Sequence, residues 1–126
     1  MPTVTYERIW RAVRKREPLS FSYEDRTRDV YPIVLGYAAD GREALLAFQS
    51  GGETSPRNKL PGWRCFYLTD IRELTSRKGG WREGASHKQD QTCVRFVDVD
   101  VNIPGTLTRP RPLPFGSQDL RYSRAK

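Results

Sequence analysis

Residues able to bind an anion flank a polar loop in the middle of the chain. The loop, Ser50–Gly62, contains three glycines and two prolines. Its Gly51–Gly52 pair exposes backbone N–H groups that can form an anion-binding nest. After the loop, Arg64 offers a guanidinium fork for phosphate or carboxylate, and Trp63 offers a plane for stacking. If the flanking strands pair, these groups meet beside Gln49 at the mouth of the loop. The alternative is a long hairpin loop with an ordinary surface arginine.

Catalytic chemistry is limited to one weak combination of residues. Cys65 can act as a nucleophile with His87 as its base, but the spacing alone does not place the two side chains together. Cys65 and Cys93 also fit alternating segments, in which a cysteine packs as a small hydrophobe. We therefore expect reduced, unreactive cysteines and a protein that is not an enzyme.

An acidic motif near the end of the chain has the spacing of the first ligands of a calcium loop. Asp98, Asp100 and Asn102 fit that spacing, but the required glycine and glutamate are replaced by Ile103 and Arg109. The expected arrangement is a solvated acidic strand face. The sequence also lacks a P-loop and a dinucleotide fingerprint. We expect no metal and no cofactor.

The net charge of +7 comes from two segments of the chain. Tyr6–Glu17 carries five basic and two acidic side chains, and Pro104–Lys126 carries five basic and one acidic. The other residues hold 12 basic and 12 acidic groups, so the body of the domain is neutral. The expected role of Arg8, Arg11 and Lys15 is a solvated helix face, and the alternative is a phosphate-facing stripe.

The length and the apolar pattern exclude several protein classes. A chain of 126 residues forms one domain with a core of its own. The longest apolar run, Ala44–Phe48, has five residues, so we expect no membrane span. No signal-peptide pattern opens the sequence. Two cysteines 28 positions apart do not make a disulfide framework, which favours a reducing cytoplasm.

The apolar periodicity predicts one helix followed by short strands. A stripe at helical spacing runs from Tyr6 to Val13, and Pro18 ends the helix at Glu17. Alternation with a period of two then predicts strands. These strands cover Leu19–Tyr23, Arg28–Val34, Ala44–Gln49, Trp63–Leu68, the segment through Ile71 and Leu74, and Thr92–Ile103.

Three local features modify this pattern. Pro32 places the second strand at an edge or at a bulge. A phase slip near Phe96–Val97 predicts a bulge in the last strand. No periodicity follows Pro104, so residues 104–126 are expected to form an extended or disordered tail. The expected fold is mainly β (α+β), with a helix and a small antiparallel sheet or barrel over residues 1–103.

The sequence resembles the WYL domain family. The resemblance covers residues 5–75 through the segments Ile9–Val13, Leu19–Tyr23, Arg28–Pro32, Ala44–Phe48 and Arg64–Ile71. Small stand-alone bacterial relatives are most similar, since they share Ser50–Gly52 and Trp63–Phe66. The resemblance implies an SH3/Sm-like barrel preceded by a helix, in a non-catalytic module that senses a ligand or binds nucleic acid. The name-giving Trp-Tyr-Leu is replaced by Ala44–Leu46. Tyr67 and Asp70 stand where the family often carries arginines, which removes positive charge from the expected ligand face.

These observations lead to two hypotheses of different classes. The first is a small cytoplasmic binding module for a nucleotide, an oligonucleotide or another anionic ligand. Its candidate ligand-binding residues are Arg64, Trp63, Gly51, Gly52 and Tyr23. The second is a structural or interaction protein that self-associates as a homodimer through exposed strand edges. An enzyme has the least support, and no membrane partner is expected.

Overall fold

The structure, a computed structural model, describes residues 2–53, 62–77 and 93–118. Within these ranges the chain forms one α-helix and six strands. They are α1 (Val4–Lys15), β1 (Leu19–Tyr23), β2 (Arg26–Tyr37), β3 (Glu43–Gly52), β4 (Gly62–Tyr67), β5 (Arg72–Ser76) and β6 (Phe96–Asp100). Short 3-10 helices occupy Leu68–Asp70 and Pro104–Thr108. The fold is mainly an antiparallel sheet with one N-terminal helix, as expected for an α+β domain.

The helix α1 forms because its apolar stripe is buried and both of its ends are capped. The Thr3 side chain accepts a 3.1 Å hydrogen bond from the N–H of Tyr6, which satisfies a donor in the first turn. The helix ends at Lys15, two residues before the predicted end at Glu17, because Arg16 turns into a left-handed conformation with φ of 52°. In the described part of the chain, no helix has the length and apolar content needed to cross a membrane.

The strands pair in the order β4-β3-β2-β1-β5, and β6 pairs with the second half of β2. β1 pairs with Arg26–Val30, and β6 pairs with Val34–Tyr37. Pro32 lies between these two pairings, where the register between β2 and β3 also shifts. Because a proline lacks an N–H, it is tolerated inside a sheet at such irregularities. The bulge predicted at Pro32 is therefore confirmed, and β2 continues beyond it.

The sheet curls strongly although its end strands do not meet. Phe66 of β4 packs edge-on against Phe21 and Tyr23 of β1, with ring centroids 4.9 Å apart in both pairs. β2 and β3 separate these strands, so a flat sheet would hold them on the order of 14 Å apart. The face that carries these rings is therefore concave. Among the described strands, β4 and β5 do not pair with each other, so the sheet is not closed into a barrel.

The acidic residues of β6 point into the protein and not into solvent. The register between β2 and β6 shifts between Leu35 and Gly36, which leaves Asp98 as an extra residue in β6. This irregularity lies next to the phase slip predicted at Phe96–Val97. Asp98 and Asp100 are both fully buried. The expectation of a solvated acidic strand face was wrong, because the bulge turns Asp98 towards polar partners inside the fold.

The segment after Pro104 differs from the extended or disordered tail that the sequence suggested. The Tyr37 hydroxyl donates a 2.9 Å hydrogen bond to the Leu113 carbonyl. Phe115 packs edge-on against Tyr37 and Phe96, with ring centroids 5.5 Å apart in each pair. Contacts with the sheet thus extend to Phe115, and the last eight residues of the tail lie outside the described residues.

A disulfide bond joins β4 to the segment that precedes β6. Cys65 is bonded to Cys93, with their Cα atoms 6.2 Å apart. Cys65 lies on the solvent side of β4 and is exposed. The expectation that both cysteines are reduced was wrong, and so was the expected packing of Cys65, whereas Cys93 is partly buried against the core as expected. Because the two cysteines are bonded to each other, they give no support to the expectation of a reducing cytoplasm.

Candidate functional site

Four side chains form a polar cluster on the concave face of the sheet. Arg64 shares this face with Phe66 because the two residues alternate along β4. The Arg28 guanidinium carbon lies 5.7 Å from the ring centroids of both Tyr23 and Phe66. The Gln49 side-chain oxygen lies 3.4 Å from Nη1 of Arg28. We call Tyr23, Arg28, Gln49 and Arg64 the arginine site.

Arg28 is the buried centre of the arginine site. It is only 4% exposed, and it follows a tight turn at Glu24 and Asp25, both of which have positive φ. Its Nη2 and Nε donate to the Tyr23 carbonyl at 3.1 and 3.4 Å. Its acidic partner, Glu24, lies 3.4 Å away, with a side chain that is 68% exposed. The charge of Arg28 is therefore held inside the protein, while the counter-charge is screened by solvent.

The electrostatics of the site favour an anion. Burial lowers the pKa of Arg28, and the positive charges of Arg26 and Arg64 lower it further, while Glu24 raises it. Two neighbouring cations thus destabilise the charged form of Arg28, and one exposed carboxylate stabilises it. An anion placed near Arg28 and Arg64 would stabilise both guanidinium groups, and phosphate and carboxylate are the anions that guanidinium groups bind most strongly.

Gln49 orients the site from β3. It is fully buried, and its Nε2 donates to the carbonyls of Gly51 and Glu53 at 3.0 and 2.8 Å. Because both amide protons of Gln49 donate to these carbonyls, its side-chain oxygen is the atom that accepts a hydrogen bond from Arg28. Gln49 therefore links the position of the Arg28 guanidinium to the start of the loop that follows β3.

The two glycines predicted to form an anion nest lie in β3. Gly51 pairs with Asp29, and Gly52 pairs with Arg28. Gly52 has φ of +81°, and a Cβ atom there would lie 2.3 Å from the carbonyl oxygen of Thr27. The hydrogen bond between Gln49 and Gly51 involves the carbonyl of Gly51 and not the N–H group that an anion nest would use. The structure thus accounts for Gly52 through the close approach of β2 and β3.

Tyr23 connects the arginine site to the end of β4. Its hydroxyl accepts a 3.1 Å hydrogen bond from the N–H of Tyr67, and its carbonyl accepts from Arg28. Burial raises the pKa of the Tyr23 hydroxyl, so this group stays protonated at neutral pH. Because the Tyr23 ring packs on Phe66, which shares a face of β4 with Arg64, the predicted candidates Tyr23 and Arg64 lie on the same face of the sheet.

Trp63 is separated from the arginine site by the plane of the sheet. The predicted pairing of β3 and β4 is present, with Phe48 opposite Trp63 and Ala47 opposite Arg64. Successive residues of a strand point to opposite faces, so the indole lies on the convex side, where its ring packs 5.3 Å from that of Phe48. Arg64 instead contacts the Trp63 backbone, through a 2.8 Å hydrogen bond to its carbonyl. A single ligand on the concave face cannot use both side chains.

The other chemistry considered from the sequence has no counterpart in the described residues. Cys65 is held in a disulfide, and its possible partner His87 lies outside the described residues. Within the ranges that the structure describes, no group of three or more His, Cys, Asp or Glu side chains is placed to hold a metal ion.

Arg28 is the member of the arginine site that was not predicted from the sequence. The apolar periodicity places Arg28 at the start of the second predicted strand and assigns it no role. A signal was present, since Arg28 is two residues from Val30 and so belongs to the apolar face of an alternating strand. A charged residue on such a face must find partners inside the fold, and in this fold they are Tyr23 and Gln49.

Comparison of the chain with protein-family models, with curated proteins and with solved structures gave no match.

Proposed function

We propose that this chain is a non-catalytic binding module that recognises an anionic ligand, a nucleotide or an oligonucleotide, at the arginine site. One observation carries the proposal: Arg28 is buried next to the positive charge of Arg64, and its acidic partner Glu24 is exposed. A buried charge is costly unless an opposite charge pairs with it. Because the three guanidinium nitrogens of Arg28 already donate to Tyr23, Gln49 and Glu24, a bound phosphate or carboxylate would stabilise Arg28 through its charge and would accept hydrogen bonds from Arg64.

We extend the proposal to the fold and the family, as a small SH3/Sm-like barrel of the WYL type. Its support is the curl of the sheet, which brings Phe66 of β4 onto Phe21 of β1. The two end strands, β4 and β5, are also consecutive in the chain, and only Leu68–Ile71 separates them. Such a short connection keeps the two ends of the sheet near each other, as closure requires.

The arginine site also supplies positive charge that this sequence lacks at Tyr67 and Asp70. Relatives in the WYL family often carry arginines at the positions of Tyr67 and Asp70. In this chain, Arg28 and Arg64 would supply the positive charge on the concave face. The proposed ligand therefore sits closer to β2 and to the end of β3 than those two positions would place it.

A binding measurement on the full chain tests this site. We would follow the fluorescence anisotropy of labelled oligo(dT) at two salt concentrations, with AMP as a competitor. Arg64→Gln should weaken binding about tenfold or more, because a hydrogen bond to a charged group contributes on the order of 1.5–3 kcal/mol. Trp63→Leu should leave the affinity within about twofold, because its ring lies on the opposite face of the sheet.

A matched control separates the site from general attraction between charges. Arg111→Gln removes the same charge from an exposed position outside the arginine site. Equal losses in the Arg64 and Arg111 variants, with a steep dependence on salt, would mean polyelectrolyte attraction and would exclude the site. Arg28→Lys provides a second variant, since it keeps the charge but loses the fork.

Self-association is the second candidate function, and the convex face favours it. β4 lies at one end of the sheet, and Phe48 and Trp63 are only partly buried on its convex side. A second copy could pair with this edge and cover both rings. Light scattering at micromolar concentrations tests this candidate. A monomeric mass would reject it, and a dimer that Trp63→Ser dissociates would support it.

A further inference from the structure

A basic cleft lies between α1 and the 3-10 helix Pro104–Thr108, away from the arginine site. Its volume is about 210 Å³, and its lining is Arg11, Arg14, Lys15 and Leu107. Three of the four lining residues are cations, and none is acidic. The nearest acidic partner on the helix, Glu7, is partly buried and lies 3.0 Å from the Arg11 guanidinium.

The wall opposite the helix is fixed to the sheet. Thr106 is fully buried, and its hydroxyl accepts a 2.9 Å hydrogen bond from the N–H of Asp100. The same hydroxyl also lies 3.1 Å from the Asp100 carbonyl and 2.8 Å from that of Ile103. These contacts hold the 3-10 helix, and therefore Leu107, against the end of β6. The cleft is thus a built feature and differs from an ordinary solvated helix face.

Arg14 is already oriented for binding. Its guanidinium carbon lies 4.4 Å from the ring centroid of Trp10, and its Nε donates a 3.0 Å hydrogen bond to the Leu107 carbonyl. These contacts fix the plane of the guanidinium group. In the described part of the chain, the hydrogen bonds of Arg14 do not use Nη1 or Nη2. Both of these nitrogens remain as donors for a ligand in the cleft.

We propose that this cleft is a phosphate-binding site, independent of the arginine site. A phosphate group has several acceptor oxygens, so it can bind the Arg14 fork and the flanking charges of Arg11 and Lys15 together. Inorganic phosphate and the phosphodiester groups of a nucleic acid share this chemistry. The competing explanation is that these cations only stabilise the negative end of the helix dipole of α1.

Amide and side-chain NMR of the full chain tests the proposal. The ¹⁵N-labelled protein would be titrated with inorganic phosphate at constant ionic strength, with sodium chloride as the balancing salt. We expect saturable shifts of the Arg14 Nε–H and of the Trp10 indole N–H. Arg14→Gln should weaken phosphate binding about tenfold or more. Arg8→Gln removes the same charge from the same helix but not from the cleft, and should change the affinity less than about twofold.

A parallel titration with oligo(dT) distinguishes the two sources of phosphate. Saturation by inorganic phosphate alone assigns the site to the free anion, and displacement of phosphate by oligo(dT) assigns it to the phosphodiester. Arg64→Gln should leave the Arg14 and Trp10 signals unchanged, which separates this proposal from the arginine site. Shifts that do not saturate would overturn the proposal, as would equal effects of Arg14→Gln and Arg8→Gln. A loss of thermal stability in Arg14→Gln with unchanged phosphate affinity would leave only the helix-dipole explanation.

Discussion

The Tyr6 hydroxyl donates a 2.7 Å hydrogen bond to the carboxylate of Asp98, which lies 92 residues later in the chain. Asp98 is fully buried at the bulge of β6. The same carboxylate accepts a 3.0 Å hydrogen bond from the N–H of Leu113 and forms an ion pair with Arg109 at 3.2 Å. One buried acidic group thus joins α1, the last strand and the segment that follows it.

Removing the Tyr6 hydroxyl tests this junction. Tyr6→Phe should lower the free energy of unfolding by about 1–3 kcal/mol, because it takes a donor from a buried carboxylate. Urea denaturation measures the loss. Tyr37→Phe is the control, since it removes a hydroxyl that donates to the neutral Leu113 carbonyl. A loss in Tyr6→Phe no larger than that in Tyr37→Phe would contradict this role of Asp98.

The stability contributed by Asp98 should depend on pH. Burial raises the pKa of Asp98 above its ordinary value of 3.8 and outweighs the opposing effects of Leu113, Tyr6 and Arg109. The folded protein therefore holds this proton more tightly than the unfolded chain does. The resulting stabilisation is fully present below 3.8 and is lost as pH rises through the raised pKa. Urea denaturation from about pH 7 downwards should show the wild type gaining stability relative to Asp98→Asn. A difference that is constant or falls with acidification would show that burial does not dominate.

The helix and the first strand were predictable because a single face of each is buried. The first and last residues of β2 could not be predicted in this way. The hairpin before β2 turns at Glu24 and Asp25, and neither is the glycine that normally marks such a tight turn. The turn was therefore predicted to be longer than it is, and β2 begins at Arg26 instead of Arg28. At its other end, the predicted strand stops at Val34, but beyond the bulge at Pro32 the strand continues to Tyr37.

The arginine site was only partly predictable because sequence spacing does not fix contacts between distant strands. Arg64 was identified from its place after a polar loop, but Trp63 was grouped with it although adjacent strand residues face opposite ways. The pairing of Cys65 with Cys93 depends on the path of the chain over the sheet, which their spacing does not specify. The segment up to Phe115 packs through individual contacts that have no periodic signature.

Gly52 should resist substitution because of its backbone conformation and its neighbours. Gly52→Ala places a Cβ atom 2.3 Å from the Thr27 carbonyl oxygen, at φ of +81°. Gly116→Ala is a matched control, because its φ of +96° is similar but no atom lies within 4 Å of the new Cβ. Chemical denaturation should show Gly52→Ala to be less stable than Gly116→Ala by at least about 1 kcal/mol, the minimum typical of overpacking. Equal stabilities would mean that β2 and β3 separate easily at this point.

The disulfide should contribute strongly to stability, because it constrains a long part of the unfolded chain. Cys65 and Cys93 are 28 positions apart, and closing a loop of this length corresponds to about 3–4 kcal/mol in the chain-entropy treatment. The double variant Cys65→Ser, Cys93→Ser should therefore unfold at a much lower urea concentration than the oxidised wild type. Dithiothreitol should move the wild-type midpoint to that of the double variant and should leave the double variant unchanged. A thiol titration of the denatured, unreduced protein should find no free cysteine. Two free thiols in protein purified under oxidising conditions would show that the bond does not form, and the link between β4 and the segment before β6 would then depend on packing alone.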